Sequence, residues 1–161
     1  MLIIVLSGCG NYIRIGKRKI VGDLKLVQVN HKWRVEGAVD KNIKEIVIPS
    51  GYGIKGFYNK AFANYTSLEK VDIQEDIKII EDQTFAGCVN LKEVILPDSI
   101  TTIFAGAFSG CESLHITKLP EKLTTIGGCA FKDVHLDSLV FPVGVGIIRD
   151  SQLYGAIINN L

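Results

Sequence analysis

Leu91-Lys92-Glu93-Val94-Ile95-Leu96-Pro97, followed by Ile103-Phe104-Ala105-Gly106-Ala107-Phe108-Ser109-Gly110-Cys111, is one unit of a repeat. Its Ala-Phe dipeptide, or a near variant, recurs at Ala61-Phe62, Thr84-Phe85, Ala107-Phe108 and Ala130-Phe131, always 23 residues apart. A fixed period in the twenties belongs to a chain that stacks one small unit, not to a globule around a central core.

The rest of the unit keeps step. Leu68, Val71 and Ile73 correspond to Leu91, Val94 and Leu96, and to Leu114, Thr117 and Leu119. A later copy, Leu136, Leu139 and Phe141, follows at an interval of 22, and an earlier one, Ile43, Ile46 and Ile48, precedes with two extra residues in between. Pro49, Pro97, Pro120 and Pro142 close four of these five stretches, with Gln74 at the other. Phe57, Ile80, Ile103 and Ile126 each stand five residues before a repeat Phe, and Ile148 and Leu153 mark a last, degenerate copy.

Leu-x-x-Val-x-Ile reads as a strand whose Val and Ile point inward at period 2, with the Leu anchoring its entry. Proline ends the ladder because it has no N–H to donate. The Ile…Ala-Phe stretch then returns along the other side, with Ala allowing a tight turn and Phe filling the coil. Successive rungs are expected to stack at about 4.8 Å.

The pattern Leu-x-x-Val-x-Leu-Pro … Ile-x-x-x-Ala-Phe-x-x-Cys, best kept from Leu91 to Cys111, resembles the BspA-type leucine-rich repeat over roughly residues 41–155. The resemblance implies a repeat solenoid, β-rich with short turns or 3₁₀ segments on the convex side. It also implies a cell-surface or secreted protein of a host-associated bacterium or protist, of the kind that binds host matrix or plasma proteins. The chain departs from the family in its shortness and in carrying Tyr65 and Val134 where the Cys belongs.

The 161 residues fit one domain, and 47% apolar against 22% charged argues against disorder. A net charge of +1 gives no reason to expect nucleic acid. That total hides a division: residues 10–40 carry seven Lys/Arg against three acids, a net of +4, while residues 41–161 net −3. Lys17-Arg18-Lys19 reads as a solvated hairpin tip. No stretch approaches the roughly 20 apolar residues of a membrane span.

Leu2-Ile3-Ile4-Val5-Leu6 runs into Leu6-Ser7-Gly8-Cys9, which looks like a lipobox, making Cys9 a lipidation site in a truncated signal over residues 1–9. The competing reading is an ordinary first strand with Cys9 buried. Residues 10–40 are expected to form an N-terminal β cap, with strands at Leu24-Lys25-Leu26, Val27-Gln28-Val29 and Trp33-Arg34-Val35, and turns at Asn30-His31-Lys32 or Gly37. Trp33 is expected to cover the first rung, and residues 41–161 to form about five repeats.

Cys88 and Cys111 occupy one column three residues after Phe, where parallel Cβ vectors suit buried free thiols better than a disulfide. Gly51-Tyr52-Gly53-Ile54-Lys55-Gly56 spells G-x-G-x-x-G, yet a repeat and not a helix should follow, so a loose turn explains it better than a nucleotide site. His31, His115 and His135 share no ligand spacing, and no nucleophile–base set is legible, so no metal, cofactor or catalysis is expected.

A partner is expected on the outward columns of the sheet. The residues singled out are Val47, Lys70, Asp72, Glu93, Ile95, Ile116, Lys118 and Val140, among which Val47, Ile95, Ile116 and Val140 are aliphatics on a solvent face. Alternating charges at Lys44, Glu69 and Lys92 beside Glu45, Lys70 and Glu93 have a structural reason of their own, since like charges on adjacent rungs repel.

The reading is a non-enzymatic, adhesion-type module that binds protein at a bacterial cell surface, its partner a host extracellular protein and its only link to a membrane a lipid anchor. The alternatives are an intracellular scaffold, or a unit that self-associates end to end through an uncapped C-terminal rung near Ile157 and Ile158.

Overall fold

A computed structural model of the chain describes residues 2–4, 13–136, 141–145 and 154–156, and coils them into a solenoid. The alternation of large apolar and polar residues early in the chain gives strands β1 (Leu2–Ile4), β2 (Ile13–Val21), β3 (Leu24–Val29) and β4 (Lys32–Ala38). They pair in sequence as an antiparallel meander. Two-residue turns join β2 to β3 and β3 to β4: in Gly22-Asp23 only the glycine has positive φ, while Asn30 (47°) and His31 (66°) both do, as a type I′ turn requires. Lys17, Arg18 and Lys19 thus lie within a nine-residue strand and not at a hairpin tip. Gly-Asp at the end of that strand is the turn.

Gly37 is not a turn residue either. It sits in β4 where the β3–β4 register slips, at φ 152°. A Cβ there would lie 2.9 Å from the Ala61 carbonyl and 3.0 Å from Tyr65 Oη. Only glycine lets the cap approach the first rung this closely. Next to it, the Ala38 N–H donates to Tyr65 Oη at 3.2 Å. Tyr65, standing where later repeats have Cys, is thus the rung's tie to the cap. Leu24, Leu26 and Val35 seal the interior, and Trp33 is half-buried at its edge.

Beyond the cap the coil has three walls. One is a parallel sheet of β5 (Glu45–Ile48), β7 (Lys70–Ile73) and β9 (Glu93–Ile95). The second joins β8 (Ile79–Ile80), β10 (Thr102–Ile103) and β11 (Thr125–Ile126), while the first return strand, β6 (Ile54–Phe57), pairs with β4 in the cap sheet. The third wall is turns alone. Among the described residues there is no helix.

The turn wall is as regular as the sheets. The N–H groups of Lys60, Phe62 and Asn64 donate to the carbonyls of Asp82, Thr84 and Ala86 one rung on, and the same three-bond step recurs in the next two rungs. Every Ala-Phe pair is bracketed by left-handed residues: Lys60 and Asn64, Gln83 and Gly87, Gly106 and Gly110, Cys129 and Asp133, with φ between 52° and 75°. Two such bends reverse the chain within five residues and aim each Phe inward.

The interior is a column of aromatic rings. Phe62, Phe85, Phe108 and Phe131 stack with centroids 5.5, 5.4 and 5.8 Å apart and planes within 10° of parallel. Phe57 closes the top edge-on to Phe62 and Phe85. All five are fully buried. Beside them run Tyr65, Cys88, Cys111 and Val134, also buried. Cys88 Sγ donates to the Phe62 carbonyl and Cys111 Sγ to that of Phe85, both at 3.1 Å. Burial pushes the Cys88 thiol up to about 12, and burial beside Cys88 also raises Cys111.

Four outcomes test this packing. Phe85→Ala should cost about 3–5 kcal/mol in urea unfolding, because a ring with two stacked neighbours leaves a cavity that cannot collapse. Gln83→Gly should instead raise stability by roughly 0.5–1 kcal/mol, relieving a left-handed side chain. A thiol reagent at pH 8 should modify Cys129 but neither Cys88 nor Cys111 until the chain is denatured. The two thiols hold their protons more tightly folded than unfolded, so the stability they add is complete below pH 9 and is lost as pH rises toward 12. A Cys88→Ala/Cys111→Ala variant should therefore lose less stability between pH 9 and 11.

Candidate functional site

The sheet of β5, β7 and β9 presents its outward side chains in matched rows. Ile46, Ile48, Val71 and Ile73 face the core, which leaves the residues between them outside. Register pairing lines up Glu45, Lys70 and Glu93 in one column, and Val47, Asp72 and Ile95 in the next. A third column, Lys44, Glu69 and Lys92, lies at the strand entries.

Charge is neutralised within this surface. Lys70 Nζ lies 2.8 Å from Glu93 Oε2, and Glu69 takes Lys92 at 2.7 Å and Lys44 at 3.2 Å. The hydrogen bonds from Lys92 and then Lys44 hold the Glu69 carboxyl below its ordinary value, and Glu93 raises Lys70. Such pairs are exposed and screened, so they set register more than they stabilise. For Glu69 the sign is that of a depressed carboxylate: its contribution is present above the unfolded value and lost as pH falls through the folded one.

Between the charged columns, Val47 is 48% and Ile95 42% exposed, with Asp72 between them. Asp72 Oδ2 accepts from Gln74 Nε2 at 2.8 Å. The strip is therefore apolar at both ends and polar in the middle.

The regular face stops after three strands. Ile116 was expected on the outward side, but it is 7% exposed and belongs to the core. The aligned inward position holds Thr117, whose hydroxyl would need a buried partner. Rotating the segment buries Ile116 and exposes Thr117, at the cost of the ladder. What remains of pairing here is one bridge, His115 to His135. Lys118 is exposed, 3.4 Å from Glu121. Val140 and Cys9 lie outside the described residues.

The bridge brings together two side chains whose spacing gave no sign of it. His115 and His135 are 20 residues apart, and their rings stack at 4.5 Å and 12°. His135 Nδ1 is buried without a hydrogen-bond partner. Among the described residues, no group of three or more His, Cys, Asp or Glu is arranged to hold a metal ion. The Gly51–Gly56 stretch turns at Gly51 (φ 83°) and Gly53 (φ 67°) and then runs into β6. It does not open a helix, so it lacks the amide cradle of a phosphate site. No helix of the described residues is long and apolar enough to cross a membrane.

The coil is shared with solved proteins. A leucine-rich repeat protein from Bacteroides ovatus ATCC 8483 superposes with a TM-score of 0.64 at 22% identity, over 96% of this chain and 38% of that one. The T. pallidum leucine-rich repeat protein gives 0.68 at 24% identity, over 88% and 64%. At these identities the likeness is one of fold, and the chain spans less than two thirds of either protein's length. No curated protein matches. A family model described as a BspA type leucine rich repeat region of six copies matches residues 39–158. This chain belongs to the BspA-type leucine-rich repeat family.

Proposed function

We propose that the chain is a non-enzymatic protein-binding module of the adhesion type, held at a bacterial cell surface as a small lipoprotein acylated at Cys9. The observation that carries the binding assignment is the strip Val47–Asp72–Ile95. It sets two aliphatic side chains on a rigid, regular sheet, and its charged neighbours already satisfy one another. A partner that covers the strip gains apolar burial without stripping water from uncompensated charge. Lys70 and Glu93 form the rim, and Lys118 extends it past the break. The non-enzymatic assignment rests on the repeat, which sets equivalent residues in rows where a reaction centre needs unlike groups to converge. The surface assignment rests on Leu6-Ser7-Gly8-Cys9 and on family resemblance, with a host extracellular protein as the partner.

A second reading, an intracellular scaffold using the same strip, draws on one observation. Leu2, Ile3 and Ile4 pair with Ile15, Arg14 and Ile13, which gives the apolar N-terminal segment a place in the cap sheet. Cleavage before Cys9 would remove that strand.

The two readings part in one experiment. The gene, with its native upstream region, is expressed in a bacterial host given a labelled fatty acid. Label that disappears with Cys9→Ala supports the lipoprotein, and a soluble, unlabelled product that retains Cys9 moves the scaffold to first place. In either case Val47→Glu/Ile95→Glu should leave the thermal unfolding curve in place and weaken partner binding roughly 10–100-fold. Undiminished binding would remove the strip from the site.

A further inference from the structure

We propose that the outer part of the N-terminal sheet, centred on Ile20, docks on an anionic phospholipid surface. The sheet concentrates charge that the rest of the chain opposes: residues 10–40 net +4 and residues 41–161 net −3. Within it, Lys17, Arg18 and Lys19 follow one another along β2. Beyond Ile15, β2 has β3 on one side and no described strand on the other. Ile20, directly after the three cations, is 64% exposed and pairs across the ladder with exposed Lys25. Arg18, Lys19, Ile20, Lys25, Leu26 and Glu36 line one shallow, mainly apolar depression.

Lysines on a sheet edge have a plain use, which is to discourage pairing with another chain. That use does not account for Ile20, since an edge guard gains nothing from an exposed isoleucine between cations. A membrane interface takes both: the cations meet phosphate headgroups, and the aliphatic side chain enters the acyl boundary. Arg18 is held by Glu36 at 3.1 Å and Lys19 Nζ lies 4.3 Å over the Trp33 ring. Among the described residues, Lys17 and Lys25 have no ion-pair partner. They are the charges left to face headgroups. The proposal does not depend on acylation of Cys9 or on the Val47–Asp72–Ile95 strip.

The test uses the full chain with Cys9→Ser, so that no acyl group contributes, sedimented with large unilamellar vesicles. Vesicles of phosphatidylcholine with about 30% phosphatidylglycerol should bind the protein at 50 mM salt, and pure phosphatidylcholine should not. Raising salt to 500 mM should weaken binding at least tenfold. Lys17→Glu/Lys25→Glu should cost at least tenfold, and Lys17→Gln/Lys25→Gln several-fold. Ile20→Ser should cost several-fold with the salt dependence unchanged, whereas Val143→Ser, an exposed aliphatic in the last circuit, should bind like the parent. Binding indifferent to phosphatidylglycerol, or none at 50 mM, would overturn the proposal. So would binding to dextran sulfate that matches the vesicles and ignores Ile20→Ser, since that would make the surface a general polyanion site.

Discussion

Stacking of Phe62 on Phe85, Phe85 on Phe108 and Phe108 on Phe131 fixes the dimensions of everything around it. Rings held about 5.5 Å apart tolerate little change in the path that delivers them, because offset aromatic contacts fall away within an ångström or two. Each circuit must therefore spend the same number of residues between one Phe and the next. That constraint explains the constant 23, and why irregularity gathers elsewhere. The two additional residues of the first circuit lie at Gly51–Gly56, where Gly51 and Gly53 have open space around them and the turn can widen without moving a Phe.

The repeat made the solenoid, its buried column and its inward strand positions legible from sequence, because a period of 23 and an alternation of 2 are both visible in apolar residues. The paired left-handed bends were not legible. Three of the eight positions are glycine, but Lys60, Asn64, Gln83, Cys129 and Asp133 are not, and propensity gives no reason to expect positive φ at lysine or glutamine. Tertiary packing imposes it, since the backbone ladder of the turn wall repeats whatever residue occupies the bend. Alignment of the rungs would have exposed the column: Gly87 and Gly110 share a register with Asn64 and Asp133.

The candidate face was legible only while the rungs stayed in phase. Val47, Asp72 and Ile95 fall where period 2 places them. Ile116 does not, because side-chain polarity at Thr117 outweighs the register inherited from the rungs above. A periodic argument cannot anticipate a one-residue rotation whose cause is one hydroxyl. The stacked pair of His115 and His135 follows from the same loss of phase, at a separation that no repeat-based search would sample. In the cap, strands and turns compete for the same short segments, and Lys17–Lys19 belongs to a strand because Gly22-Asp23 makes the turn.

The turn wall has a mechanical consequence. Its hydrogen bonds, like those of both parallel sheets, run from rung to rung and so lie along the long axis of the coil. A load applied between the cap and the far end pulls directly against them, one rung at a time, and never shears several rungs together. Each rung that peels away frees 23 residues, about 80 Å of extended chain, and leaves the rungs above it stacked. Extension under such a load is therefore stepwise, in units of one rung.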